Sequence, residues 1–289
     1  MRLATIIHNS TRRPCLIDPD RGAIPVDLLV PGFAGDLMAV LNQDVYAQAC
    51  EAARSGPASA FIDLDSVTYA APYLAPPKLW GIGLNYVDHA GDLSENVPDE
   101  PASFVKGSHT IIGPGDPIPL PAQSERVTAE AEVGVVIGRY CRNVSEAEAL
   151  DYVWGVVPIL DQTAEDILQR NPRFLTRSKN FPGFFSFGPQ LVPLDEVLTT
   201  FNSLADIEVE TVHNGRVHRS NHVANMTFSP EMLVSFHSQV MPLFPGDIIS
   251  TGTPGAVVIN HGDEVECRIA GIGTLGNPVR RAGAGEGAE

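Results

Sequence analysis

The sequence predicts a β-rich α+β protein, with a small α/β domain over residues 1–72 and a larger, mostly β domain over residues 73–281. Three observations carry this. Short apolar runs bounded by Gly, Pro and Asn recur beyond residue 77, the pattern of successive strands. Helical periodicity is confined to a few segments, the clearest lying early in the chain. Val212-His213-Asn214-Gly215-Arg216-Val217 carries an Asn-Gly pair that tolerates the positive φ values of a type I′ turn, so an antiparallel hairpin is expected there.

In chain order, Arg2 to His8 alternates as a strand, and Thr11 to Pro19 reads as a turn followed by a short partner. Asp36 to Ala53 places Leu37, Val40, Leu41, Val45 and Ala49 on one face, which predicts an amphipathic helix stopped by Gly56 and Pro57. Between Ala70 and Pro77 stand Pro72, Pro76 and Pro77, which favour an extended connection and mark the domain boundary. Strands are then expected over Lys78 to Leu84, Ser103 to Lys106, Ala129 to Ile137, Tyr152 to Leu160, Ile207 to His213, Val217 to Arg219, Asp247 to Thr251 and Asp263 to Ile269. Two helices have start signals: the capping box Ser145-Glu146-Ala147-Glu148, and Ser229-Pro230-Glu231 with Pro at the first helical position. Another is expected from about Thr163 to Arg170. Residues 282–289 are Gly, Ala and Glu only and read as a flexible tail.

Composition narrows the function classes. Of 289 residues 44% are hydrophobic, ample for a core, and 19 Lys plus Arg against 35 Asp plus Glu give a formal charge of -16, which repels a phosphate backbone and argues against nucleic-acid binding. Cys15, Cys50, Cys141 and Cys267 are scattered without zinc-site spacing, as expected of reduced thiols. No run of eighteen apolar residues argues for a membrane span, and Met1 to Ser10 is too polar for a signal peptide, so a cytoplasmic protein is expected.

The segment richest in chemistry is Thr128-Ala129-Glu130-Ala131-Glu132 before Val133-Gly134-Val135-Val136-Ile137-Gly138. Residues two apart on a strand point the same way, so Glu130 and Glu132 aim at one spot with Cα atoms roughly 6 to 7 Å apart. Like charges so placed beside an apolar run call for a cation, and oxygen-only ligation favours Mg²⁺ or Ca²⁺, with Mn²⁺ as a substitute. A solvated strand start is the competing account. Asp161 ends the expected strand from Tyr152 and supplies a third acid, or alternatively caps the helix after it. His89 and Asp92 are neighbours if their stretch is helical, which is general-base equipment, though a surface histidine has the same appearance. Lys179, among Phe174, Phe181, Phe184, Phe185 and Phe187, either holds an anion or snorkels from an aromatic core. In Thr251-Gly252-Thr253-Pro254-Gly255, backbone N–H groups and the Thr253 hydroxyl can cup an anion, or simply make a turn.

In this order, Gly83-x-Asn85-Tyr86-x-x-His89, Phe104-Val105-Lys106, Glu130-x-Glu132, Asp161, Lys179 and Thr251-Gly252-Thr253-Pro254 resemble the fumarylacetoacetate hydrolase superfamily, over about Lys78 to Val279. The resemblance implies a mixed β-sandwich roll for the catalytic domain, a homodimer, and Mg²⁺ or Mn²⁺ held by Glu130, Glu132 and Asp161, with Ca²⁺ an option in a crystal. It implies a small-molecule 2-oxo acid as substrate, His89, Asp92 and Lys179 as catalytic residues, and Tyr86, Lys106, Gly252 and Thr253 in contact with substrate. Three departures stand out. Asp92 stands where relatives commonly have Glu, which leaves Glu95 as the other partner for His89. Glu165 stands where many relatives have Arg, and repels a substrate carboxylate that relied on it. Leu168 replaces a Gln that some relatives have; Arg170, Arg173 and Arg177 lie near enough in sequence to compensate.

The first functional expectation is therefore a metal-dependent hydrolase that cleaves a C–C bond in an acylpyruvate-type or other 1,3-dicarbonyl acid. A lyase or isomerase on the same scaffold is the second: a 2-oxo acid decarboxylase, an enol-acid hydratase or a keto–enol tautomerase. The third is a metal-binding dimer that has lost catalysis.

Overall fold

The computed structural model describes residues 1–86 and 98–281. The amino-terminal segment forms a four-stranded antiparallel sheet in the order Gly22–Pro25, Thr11–Asp18, Arg2–His8, Thr68–Ala70. The single helix expected from Asp36 is two, Leu37–Val40 and Gln43–Ser55. The break lies at Asn42, whose side chain accepts from the Asp44 and Val45 N–H groups and so starts a second helix inside the periodic pattern. Leu37, Val40, Leu41 and Ala49 are fully buried as predicted, packed against Leu3, Leu16 and Ile24 of the sheet.

A nine-stranded mixed sheet dominates the rest of the chain. Its main path runs Ala102–Lys106, Leu79–Gly83, Ile248–Ser250, Val127–Ile137, Val153–Ala164, Phe185–Phe187 and Ile111–Ile112, with Ala256–Ile259 pairing with Val127–Ile137 and Val192–Pro193 with Val153–Ala164. A five-stranded sheet, Arg216–His222, Glu208–His213, Glu264–Ile269, Gly273–Arg281 and Ile118–Leu120, lies across from it. Between them sits one apolar core, where Ala129, Ala131, Val133, Val156 and Leu160 meet Val209, Val265, Cys267, Leu275 and Val279. This is the β-rich α+β sandwich that the sequence predicts. The other face of the large sheet, through Val136, Val157, Ile159, Phe185 and Phe187, packs on the amino-terminal segment.

Local signals hold in detail. Asn214 and Gly215 have φ of 50° and 75° at the hairpin turn, Ser145 and Glu148 form their capping box, and Ser229 caps the helix Pro230–Val240. One boundary differs with consequence. The strand expected to end before Asp161 continues to Ala164, and the helix expected from Thr163 begins at Glu165. Asp161 is therefore an interior strand residue and caps no helix. The cause is the partner strand, which pairs residue by residue with Gln162, Thr163 and Ala164 through Ala129, Thr128 and Val127.

Candidate active site

Strands Val127–Ile137 and Val153–Ala164 are antiparallel, with Glu130 opposite Asp161 and Glu132 opposite Ile159. The pleat sends Ala129, Ala131 and Val133 into the core between the sheets, and Glu130, Glu132 and Asp161 to the other face. There the three acids each offer an oxygen, all within 4.8 Å of one another. Oxygens around a six-coordinate ion with bonds of about 2.1 Å lie roughly 3 to 4.2 Å apart, close to this spacing, and three carboxylate donors are the type of set that could hold one small hard dication.

The acids are shielded from water, with Asp161 and Glu132 buried and the Glu130 side chain 13% exposed. Burial, and then the charges of Asp161 and Glu130, push the Glu132 carboxyl up to about 8 against the opposing pull of Lys179. Two buried lysines supply positive charge. Lys179 Nζ lies 2.7 Å from Asp161 Oδ2 and 3.0 Å from Glu130 Oε2. Lys106 Nζ donates to Asp161 Oδ1 and, at 3.3 Å, to the Gln162 carbonyl. Burial lowers Lys106 to about 8 despite Asp161; for Lys179 burial is outweighed by Asp161, Glu130 and Glu132, which hold it charged above the usual lysine range. The ring over the Lys179 ammonium, 4.9 Å away, is that of Phe104, which the sequence reading does not place beside it, and the buried Lys179 does not snorkel to water.

The loop after Ile248–Ser250 completes the surroundings. The Gly252 N–H donates to Glu132 Oε2 at 2.9 Å, so the anion this loop binds is a side chain of the protein itself. Thr253 is buried, and its hydroxyl accepts from the Gly255 N–H at 3.2 Å. Tyr86 is buried with no hydrogen-bond partner for its hydroxyl among the described residues; burial and the nearby Glu132 charge hold the phenol well above its ordinary pKa. Asn85 ties the loop to the chain before the helix Pro230–Val240, donating to the carbonyls of Thr251 (2.7 Å) and Phe228 (3.0 Å) and accepting from the Phe228 N–H.

Glu165 is not a lone anion. Arg126 forms an ion pair with it and Gln169 donates to it at 3.1 Å, which neutralises the repulsion expected from the sequence. Arg170 pairs with Asp166 at 3.3 Å and Arg177 donates to Gln123 at 3.1 Å. His89, Asp92 and Glu95 lie outside the described residues. The sequence reading missed Thr163 and Ser250, whose hydroxyls donate to Glu130 and Glu132 respectively. The signal for Thr163 was its place two residues after Asp161, on the same face of the strand.

Among the described residues no helix is long and apolar enough to cross a membrane, and all four cysteines are buried free thiols.

Residues 78–280 match the fumarylacetoacetate (FAA) hydrolase C-terminal family. The mitochondrial oxaloacetate tautomerase of Rattus norvegicus is 35% identical over 226 residues, covering 75% of this chain and 71% of the tautomerase. The crystal structure of 5-carboxymethyl-2-hydroxymuconate delta-isomerase from Mycobacterium smegmatis is 32% identical with a TM-score of 0.76, over 98% of this chain and 100% of that one. Maleylpyruvate hydrolase from Sphingobium sp. SYK-6, solved with manganese(II) and pyruvate, is 26% identical with a TM-score of 0.81 over the same shares.

Proposed function

The chain belongs to the fumarylacetoacetate hydrolase superfamily, and from that premise we propose that it is a divalent-metal-dependent hydrolase cleaving a C–C bond in an acylpyruvate-type or other 1,3-dicarbonyl 2-oxo acid. The observation that carries the reading is the convergence of Glu130, Glu132 and Asp161 beside two buried lysines. Glu130, Glu132 and Asp161 would hold Mg²⁺ or Mn²⁺, which when bound supplies Lewis-acid stabilisation of enolate charge on a 2-oxo acid. The named complex of the Sphingobium hydrolase with manganese and pyruvate supports that pairing of ion and ligand.

In this proposal the chain's own groups do the rest. With all three acids ionised and both ammonium groups charged the cluster carries one excess negative charge, so a dication would make it net positive and able to accept an anionic substrate. Lys179 and Lys106 face the developing negative charge from a water-poor wall, where each is worth more than in solvent. His89, oriented by Asp92 or Glu95, takes a proton from water as the water oxygen attacks the distal carbonyl carbon. The C–C bond then breaks, its electron pair goes to the 2-oxo acid fragment as an enolate, and a proton returns to that carbon. Tyr86, Gly252 and Thr253 line the substrate. The proposal includes a homodimer and a cytoplasmic location; the rat relative is mitochondrial by name, so cell fractionation decides the compartment.

A second reading has its own support: keto–enol isomerisation, because the rat tautomerase and the mycobacterial isomerase are both more similar in sequence than the hydrolase. It uses the same enolate and omits the attack by water. Acylpyruvates and oxaloacetate, each followed by proton NMR with Mn²⁺ added, separate the two. Two acids from one acylpyruvate support hydrolysis, and equilibration of oxaloacetate keto and enol forms without cleavage supports isomerisation. Full activity in Glu130→Ala or after chelation would overturn both.

A further inference from the structure

We propose that Thr163 and Ser250, with the Gly252 amide, are positioning residues that fix which carboxylate oxygens are left to ligate a divalent cation. The inference rests on the metal reading above.

Glutamate is a flexible side chain, and two of the three acids are glutamates on a rigid strand. Each is pinned through one oxygen by a neutral donor from a neighbouring strand or loop. On Glu132, both the Ser250 hydroxyl and the Gly252 N–H (2.9 Å) fall on Oε2, and no hydrogen bond from the described residues reaches Oε1. On Glu130, the Thr163 hydroxyl takes Oε1 and leaves Oε2 toward Asp161, where Lys179 lies at 3.0 Å. Ser250 and Thr163 are themselves buried and sit on paired strands, Ser250 opposite Gly134 and Thr163 opposite Thr128, so the backbone that carries each donor is held in place.

The chemistry of the donors matters. An ammonium beside a carboxylate orients it but also opposes the approach of a dication. A hydroxyl or an amide N–H orients the carboxylate without adding a full charge, and polarises it toward the ionised form that a hard ion requires. Orientation in this site is therefore divided between neutral pins and charged lysines, and only the neutral pins favour metal occupancy without cost.

The test is calorimetric titration of Mn²⁺ into the full chain, with the Mn²⁺ paramagnetic resonance spectrum as a second readout. Ser250→Ala and Thr163→Val should each raise the Mn²⁺ dissociation constant about 10- to 100-fold and broaden the spectrum, whereas Thr163→Ser, which keeps the hydroxyl, should stay within about threefold of the parent. Should Ser250→Ala not fold, the Thr163→Val and Thr163→Ser pair decides alone. Parent-like affinity in Thr163→Val and Ser250→Ala overturns the inference and leaves the metal reading standing. A parent protein that binds no Mn²⁺ overturns both.

Discussion

Glu130 and Asp161 face each other directly across two antiparallel strands, and one ammonium, that of Lys179, lies within hydrogen-bonding reach of both. Without a counter-charge this arrangement would be costly, since Asp161 is wholly buried and Glu130 nearly so.

Lys179→Met should therefore destabilise the metal-free protein by about 3 to 5 kcal/mol, the usual penalty for leaving a buried charge unpaired. Mn²⁺ should then raise the melting temperature of the variant more than that of the parent, because the dication replaces the missing charge. Thermal melts with and without Mn²⁺ check this, and equal metal-induced shifts would count against a shared site.

The Arg126–Glu165 pair lies just beyond the ends of the two strands that carry the acids, where the Glu165 N–H donates to the Arg126 carbonyl one step past the Val127–Ala164 pair. Half of the Arg126 side chain is exposed, so breaking the pair should cost stability less than about 1 kcal/mol. Glu165→Gln frees the guanidinium, and kcat/KM should rise about tenfold for a substrate with a distal carboxylate relative to its methyl ester, the worth of one charge-assisted hydrogen bond. Arg126→Gln should reverse the preference. Indifference of both variants to that carboxylate would place the pair beyond the substrate's reach.

Gly252 has φ of +99°, and a Cβ there would lie 2.8 Å from the Asn85 Cβ and 3.1 Å from the Ile82 carbonyl oxygen. Gly252→Ala should lose about 1 to 3 kcal/mol of stability through backbone strain, and by displacing the N–H from Glu132 it should also weaken Mn²⁺ binding. Denaturant unfolding and the metal titration report the two effects separately.

His237 is buried against Trp80, with ring centroids 4.8 Å apart, and its Nδ1 lies 2.7 Å from the Leu233 carbonyl. Burial lowers its pKa below the ordinary 6.5. The unfolded chain then takes up the proton first, so this group's contribution is complete above about pH 6.5 and is lost as pH falls toward the folded value, at up to about 1.4 kcal/mol per pH unit. Unfolding free energies from pH 8 to 5 should show that loss, and His237→Leu should show less of it.

The shared direction of Glu130 and Glu132 was legible because strand alternation dictates where side chains two residues apart must point, whereas Asp161 joined them through the family resemblance and its place opposite Glu130 comes from the strand register. The end of the Asp161 strand was not legible. Gln162-Thr163-Ala164 has no apolar alternation of its own and is held extended by pairing with Val127 to Ala129, a distant segment whose register no local pattern records. The same blindness hid Ser250, which reaches Glu132 from 118 residues away. At Asn42 the failure was of another kind, since a side chain that caps a new helix interrupted a periodicity that ran through it unbroken. The Arg126–Glu165 pair shows the limit for charges: the sequence registers an anion, and only the fold supplies its partner.

The strands bearing the acids are paired with each other from one end to the other, and Glu130 and Asp161 hang from well inside that ladder. Amide protons there should exchange with deuterated solvent only when the whole molecule opens, while loops and termini exchange far sooner. An ion entering or leaving such a place gains nothing from fraying of the sheet. Its residence time should track the motions of side chains alone.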